Sequence, residues 1–130
     1  MHRNVVFLPI KSSVLEAAKL MKKHRIGSVV VVEGKEVRGI VTERDIVRKV
    51  VAEERPYRTA LEEIMSSPVI VATEDTSIED AARVMKKEKI RKLPVVDKNN
   101  YLVGIITSDD IVRVFPSIVE LIEEEAFLMG

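Results

Sequence analysis

The sequence predicts an α+β chain of two tandem β-α-β-β-α repeats, packed about a pseudo-two-fold axis, with a further helix at the C-terminus. Three observations predict it. The 130 residues repeat themselves in order: Ala17-Ala18 returns as Ala81-Ala82 and Met21-Lys22-Lys23 as Met85-Lys86-Lys87. Within each copy, apolar spacing switches between strand-like runs and a helical period. Turn-forming residues fall between the runs.

The match continues through Val31-Val32 with Val95-Val96. After a one-residue insertion in the Asp97–Asn100 turn, Gly39-Ile40 aligns with Gly104-Ile105, and Asp45-Ile46-Val47-Arg48 with Asp110-Ile111-Val112-Arg113. Ordered matches with one gap are the mark of a duplicated structural unit, in which neither copy closes a core easily alone. The seam between them is the expected ligand cleft.

Val5–Leu8 and Val69–Ala72 read as the first strands. Ser13–His24 and Ser77–Glu88 place Val14, Ala17, Ala18, Met21 and Ile78, Ala81, Ala82, Met85 at helical spacing. Ser13 with Glu16, and Ser77 with Asp80, are N-cap signatures. Val29–Val32 and Leu93–Val96 are continuous apolar runs, the pattern of strands buried on both faces. Pro94 in the second run reads as a strand edge or a bent entry, because proline donates nothing to a ladder. Turns at Glu33–Glu36 and Asp97–Asn100 lead to strands Val37–Val41 and Tyr101–Ile106, and helices follow from Glu43 and Ser108. Ala60–Met65 reads as a short helix and Ser117–Met129 as an amphipathic one. The expected division is residues 1–55 for the first repeat, 56–68 for the linker, 69–116 for the second repeat and 117–130 for the C-terminal helix.

Composition narrows the function classes. With 21 basic and 21 acidic side chains the formal charge is zero, which argues against a dedicated nucleic-acid binder. The local exception is the basic stretch Lys86-Lys87 and Lys89 to Lys92. There is no Cys, hence no thiolate nucleophile and no Cys-ligated zinc. His2 and His24 lack metal-ligand spacing, and no phosphate-loop or nucleophile motif is present, so neither catalytic nor metal residues are assigned. Apolar runs such as Val29–Val32 are far too short to span a membrane, and a cytoplasmic location is the expectation.

The chemistry-bearing segments are Gly39-Ile40-Val41-Thr42-Glu43-Arg44-Asp45 and Gly104-Ile105-Ile106-Thr107-Ser108-Asp109-Asp110. Each sets a hydroxyl and a carboxylate at a strand-to-helix junction. Thr-x-x-Asp is also a capping box, and both roles can hold together. Helix starts suit phosphate, a carboxylate one turn in can accept a ribose diol, and Val and Ile suit a flat purine.

With Leu93-Pro94-Val95-Val96-Asp97 and Ile64-Met65-Ser66-Ser67-Pro68, these segments resemble the CBS (cystathionine β-synthase) domain family over Val5–Phe115. The resemblance implies a non-enzymatic regulatory module. It would bind an adenosine-containing ligand, AMP, ADP or ATP first and NAD or S-adenosylmethionine next, and signal to an effector protein. No cofactor is required. It implies a first site of Val6, Ile26, Ile40, Thr42, Arg44 and Asp45, and a second of Ile70, Ile90, Lys92, Ile105, Thr107 and Asp110. Asp109 stands where the first repeat has Arg44, so the sites are not equivalent. It also suggests a homodimer, packed through stripes formed by Ile46, Val47 and Val50 and by Ile111, Val112 and Phe115. The alternative is a dimeric interaction scaffold with non-functional ligand sites.

Overall fold

The structure, a computed structural model, describes residues 5–67 and 69–114. The expected helix over 117–130, Phe115 of the second stripe and Pro68 of the linker lie outside the described residues. The chain divides into two compact units, Val6–Val69 and the remainder.

In the first unit the order is β1 (Phe7–Pro9), α1 (Val14–His24), β2 (Ser28–Glu33), β3 (Glu36–Thr42) and α2 (Glu43–Ile46), which runs on as a π-helical turn at Val47–Val51. The second unit repeats it with β4 (Ala72–Thr73), α3 (Ile78–Glu88), β5 (Lys92–Val96), β6 (Leu102–Thr107) and α4 (Ser108–Val114). Each unit holds one mixed three-stranded sheet, ordered β1-β2-β3 and β4-β5-β6, with the first pair parallel and the second antiparallel. The α+β tandem-repeat class is thus the observed one.

The helices begin and end as their residues dictate. Ser13 Oγ accepts the Glu16 N–H at 3.1 Å, and Ser77 Oγ accepts the Asp80 N–H at 3.0 Å. Each supplies an acceptor to a helix donor that would otherwise lack one. Both helices close on a left-handed residue that is not glycine, Arg25 at φ 54° and Lys89 at φ 58°. The following amides of Ile26 and Ile90 turn back to the Met21 and Met85 carbonyls, each at 3.0 Å. These 6→1 bonds satisfy carbonyls at the end of the helix.

The central strands are buried on both faces, as continuous apolar runs predict. Val29 and Val31 join Val14, Ala17, Met21, Val41, Leu61 and Ile64 in the core of the first unit, while Val30 and Val32 on the opposite face are also buried. The second core gathers Ala81, Ala82, Met85, Leu93, Val95, Ile106 and Ile111. Burying side chains of this size stabilises a fold by about 1.5–3 kcal/mol each.

Four expectations need correction. Pro94 stands inside the central strand β5, opposite Ile105, and not at an edge or entry. Its counterpart Val30 donates its N–H to the Val6 carbonyl at 3.3 Å. Proline has no N–H to offer, and pairing along β4 starts only at Ala72↔Val95. The first strand of the second repeat is therefore Ala72–Thr73 rather than Val69–Ala72. In the first repeat the strand is Phe7–Pro9 rather than Val5–Leu8, with Val5 and Val6 leading into it. The predicted helix at Ala60–Met65 shrinks to one 3-10 turn, Leu61–Glu63. There the Leu61 and Glu62 amides bond the Ser12 and Ile10 carbonyls at 2.8 and 3.0 Å. Ser66 then exchanges both backbone bonds with Ile40, an isolated bridge that ties the linker to β3.

The fourth concerns the stripes assigned to a dimer face. Val50 is buried in the first core, and Ile46 packs against it. Ile111 is fully buried in the second core, with Val112 against it. These side chains close their own units. Val47 and Val51 are the residues left outward, 58% and 59% exposed. No helix among the described residues is long and apolar enough to cross a membrane.

Candidate functional site

The two strand-to-helix junctions have the same construction. β3 ends on Thr42, whose backbone is extended at φ −112° and ψ 165°, and the chain then turns into α2. Thr42 Oγ1 accepts the Asp45 N–H at 3.1 Å, and Asp45 Oδ2 accepts the Thr42 N–H at 2.9 Å. In the second unit Thr107 Oγ1 accepts the Asp110 N–H at 3.2 Å and Asp110 Oδ2 accepts the Thr107 N–H at 2.9 Å. Both are complete reciprocal capping boxes. The capping role is real, and it holds both carboxylates in one orientation.

A carboxylate has about four acceptor positions. Each box uses one on Oδ2. The Asp45 side chain is 12% exposed, and its Oδ1 pairs with Lys49 Nζ at 3.2 Å. The residue matching Lys49 in the second repeat is Val114, so no lysine can reach Asp110 from the corresponding turn.

Around each junction the fold brings the predicted apolar residues to corresponding places. Ile26 and Ile90 sit just ahead of the central strands and pack against their own cores. Ile40 and Ile105 lie on β3 and β6, opposite Val30 and Pro94, and both are half-buried. Val6 packs against the first core and hydrogen-bonds through its carbonyl to Val30. Its counterpart Ile70 is 37% exposed and precedes β4 without joining it.

The basic residues are placed differently in the two copies. Lys92 opens β5 directly across the ladder from Thr107, where the first repeat sets Ser28 across from Thr42. Arg91 takes the Ser108 N–H on its carbonyl at 2.8 Å, and its Nε reaches Ser108 Oγ at 3.4 Å. Arg44 is exposed on the first turn of α2, and Asp109 is exposed at the matching position of α4. Two residues that sequence reasoning did not select belong to the first junction: Lys49, and Ile64, whose carbonyl accepts a hydrogen bond from Lys49 Nζ at 2.9 Å. Asp45 and Lys49 at i, i+4 carried a signal for the first; nothing local marked the second. An open depression of about 310 Å³ lies at the linker, lined by Arg55, Pro56, Arg58, Thr59 and Glu63. It holds none of the predicted residues.

The CBS domain family matches this chain twice, at residues 1–52 and 61–117. The chain belongs to the CBS-domain family. Among similar proteins, an uncharacterized protein of Methanopyrus kandleri is 44% identical over 95% of the chain, which spans 64% of that relative's length. A CBS domain-containing protein of Bacillus subtilis, YhcV, is 40% identical over 76% of the chain and 70% of its own length. Solved CBS structures superpose well. The CBS domain pair of protein MJ0100, in complex with 5′-methylthioadenosine and S-adenosyl-L-methionine, is 36% identical with a TM-score of 0.79, covering 89% of this chain and 91% of that one. CBSX2, in complex with AMP, is 27% identical with a TM-score of 0.75, covering 88% and 90%. The two matched repeats make this chain a CBS domain pair.

Proposed function

We propose that this CBS pair senses an adenosine nucleotide, AMP, ADP or ATP foremost, and passes the signal to a partner protein. The ligand-contacting residues on this reading are Val6, Ile26, Ile40, Thr42, Arg44 and Asp45 in the first repeat. In the second they are Ile70, Ile90, Lys92, Ile105, Thr107 and Asp110. The observation that carries it is the duplicated junction, in which a threonine and an aspartate lock each other at the start of a helix. A ribose diol needs a fixed carboxylate acceptor, and the capping box holds one in each copy. The adenosine ligands in the MJ0100 and CBSX2 structures support the same class. Output through a partner protein is part of the same proposal.

The test is thermal unfolding of the chain with AMP, ADP, ATP, NAD and S-adenosylmethionine in turn. A ligand that binds only the native state at a hundredfold excess over its dissociation constant stabilises by about 2.7 kcal/mol. Asp45→Ala and Asp110→Ala, measured separately by calorimetric titration, assign the response to a repeat. An unchanged melting temperature with all five ligands overturns the reading. It would favour the second one, an interaction scaffold, for which the self-satisfied boxes of Thr42–Asp45 and Thr107–Asp110 already give a structural motive.

A further inference from the structure

Lys49 stands between two features of the first unit that are otherwise separate. Its Nζ pairs with Asp45 Oδ1 at 3.2 Å and donates to the Ile64 carbonyl at 2.9 Å. Ile64 closes the 3-10 turn two residues before Ser66, whose N–H donates to the Ile40 carbonyl of β3 at 2.9 Å and whose carbonyl accepts the Ile40 N–H at 3.3 Å. Gly39 allows this close approach, since a Cβ there would stand 2.9 Å from the Ser66 carbonyl oxygen. One ammonium thus joins the junction carboxylate to the linker segment that edges the sheet.

Asp45 Oδ2 is held by the Thr42 N–H and Oδ1 by Lys49, and Oδ1 is the one whose partner is a half-exposed side chain that can be displaced. We propose that Lys49 is an internal competitor at the first junction: a ribose diol and the Lys49–Ile64 tether draw on the same Asp45 oxygen. Ligand then loosens the packing of Ile64–Ser66 on β3, and the packed linker in turn weakens ligand. The second repeat has Val114 at the corresponding position, so no lysine there makes this link. The inference rests on the proposed nucleotide reading for its ligand half and on geometry alone for its tether half.

Linkage makes the two halves equal in size: whatever factor the tether gains, the ligand loses. The experiment uses the full chain carrying Asp110→Ala, so that only the first junction is read, and compares it with added Lys49→Met and Lys49→Arg. Lys49 is half-exposed, so both substitutions leave the core intact. In the absence of ligand, Lys49→Met speeds hydrogen exchange of the Ser66 amide by roughly fivefold, the scale of a partly exposed ion pair, and Lys49→Arg restores protection. The probe ligand is 5′-methylthioadenosine, which presents the diol without a phosphate for the lysine to attract. Lys49→Met raises its affinity by the same roughly fivefold factor, and saturating ligand speeds Ser66 exchange only where residue 49 is basic. Weaker binding in Lys49→Met, or Ser66 exchange indifferent to Lys49, overturns the proposal. Absence of 5′-methylthioadenosine binding to every variant overturns the competition at the first junction and leaves the nucleotide reading to its own five-ligand test, while the ligand-free exchange still decides whether the tether exists.

Discussion

Adding a single methyl group at Gly39 or at Gly27 has opposite consequences, and the contrast tests how the linker is held. Gly39 is buried in β3. A Cβ there would stand 2.6 Å from Met65 Sδ, 2.9 Å from Met65 Cγ and 2.9 Å from the Ser66 carbonyl oxygen. The methionine can swing aside, but the carbonyl belongs to a backbone fixed by its paired bonds with Ile40. Overpacking of this kind costs about 1–3 kcal/mol. At Gly27 the nearest atom to a new Cβ is Glu43 Oε1 at 3.4 Å, the far end of an adaptable side chain. Neither glycine has positive φ, so Gly27→Ala gains the roughly 0.4–1 kcal/mol that comes from restricting the unfolded chain. The expected result in urea unfolding is a destabilised Gly39→Ala and a slightly stabilised Gly27→Ala, separated by about 2 kcal/mol. The amide of Ser66 should also lose exchange protection in Gly39→Ala. Equal stabilities for the two variants would refute the claim that close packing of Met65 and Ser66 on β3 holds the linker.

Removing a capping hydroxyl should cost about 1 kcal/mol at either junction, so Thr42→Ala and Thr107→Ala each lower the denaturation midpoint in urea with m unchanged. Lys11 tests a surface pair: the hydrogen bond and charge of Glu62 raise its pKa above the ordinary 10.5. A raised lysine pKa contributes stability that is complete below pH 10.5 and lost as pH climbs through the folded value. The stability difference between the natural chain and Lys11→Met, followed by alkaline titration of unfolding, should be constant up to that pH and shrink above it. A difference that grows with pH contradicts the pairing.

The duplication made most of the fold legible. Helix starts at Ser13 and Ser77 were readable because a hydroxyl three residues ahead of an acidic side chain is a local signal, and the buried central strands because four apolar residues in succession leave no wet face. What escaped depended on partners far along the chain. The π-helical turn at Val47–Val51 sends Val50 inward and leaves Val47 out, so a stripe drawn at α-helical spacing mixed core with surface. The segment 60–65 had helical composition, yet amides at 61, 62 and 66 found carbonyls at Ser12, Ile10 and Ile40, an outcome no window of neighbouring residues contains.

The same distinction holds for the candidate site residues. Thr42, Asp45, Thr107 and Asp110 were legible because the sequence states each pair twice, and the repetition singled out what one common box could not. Differences between the copies carry the remaining information. Pro94 in place of Val30 removes one donor and leaves Ile70 ahead of its strand, where Val6 is tied down. Val114 stands where Lys49 bridges the carboxylate and a carbonyl of the linker in the first repeat. The copies agree in the capping geometry of the threonine and the aspartate and differ at these two positions. The first repeat joins its carboxylate through Lys49 to the Ile64 carbonyl; the second repeat has valine where that lysine stands.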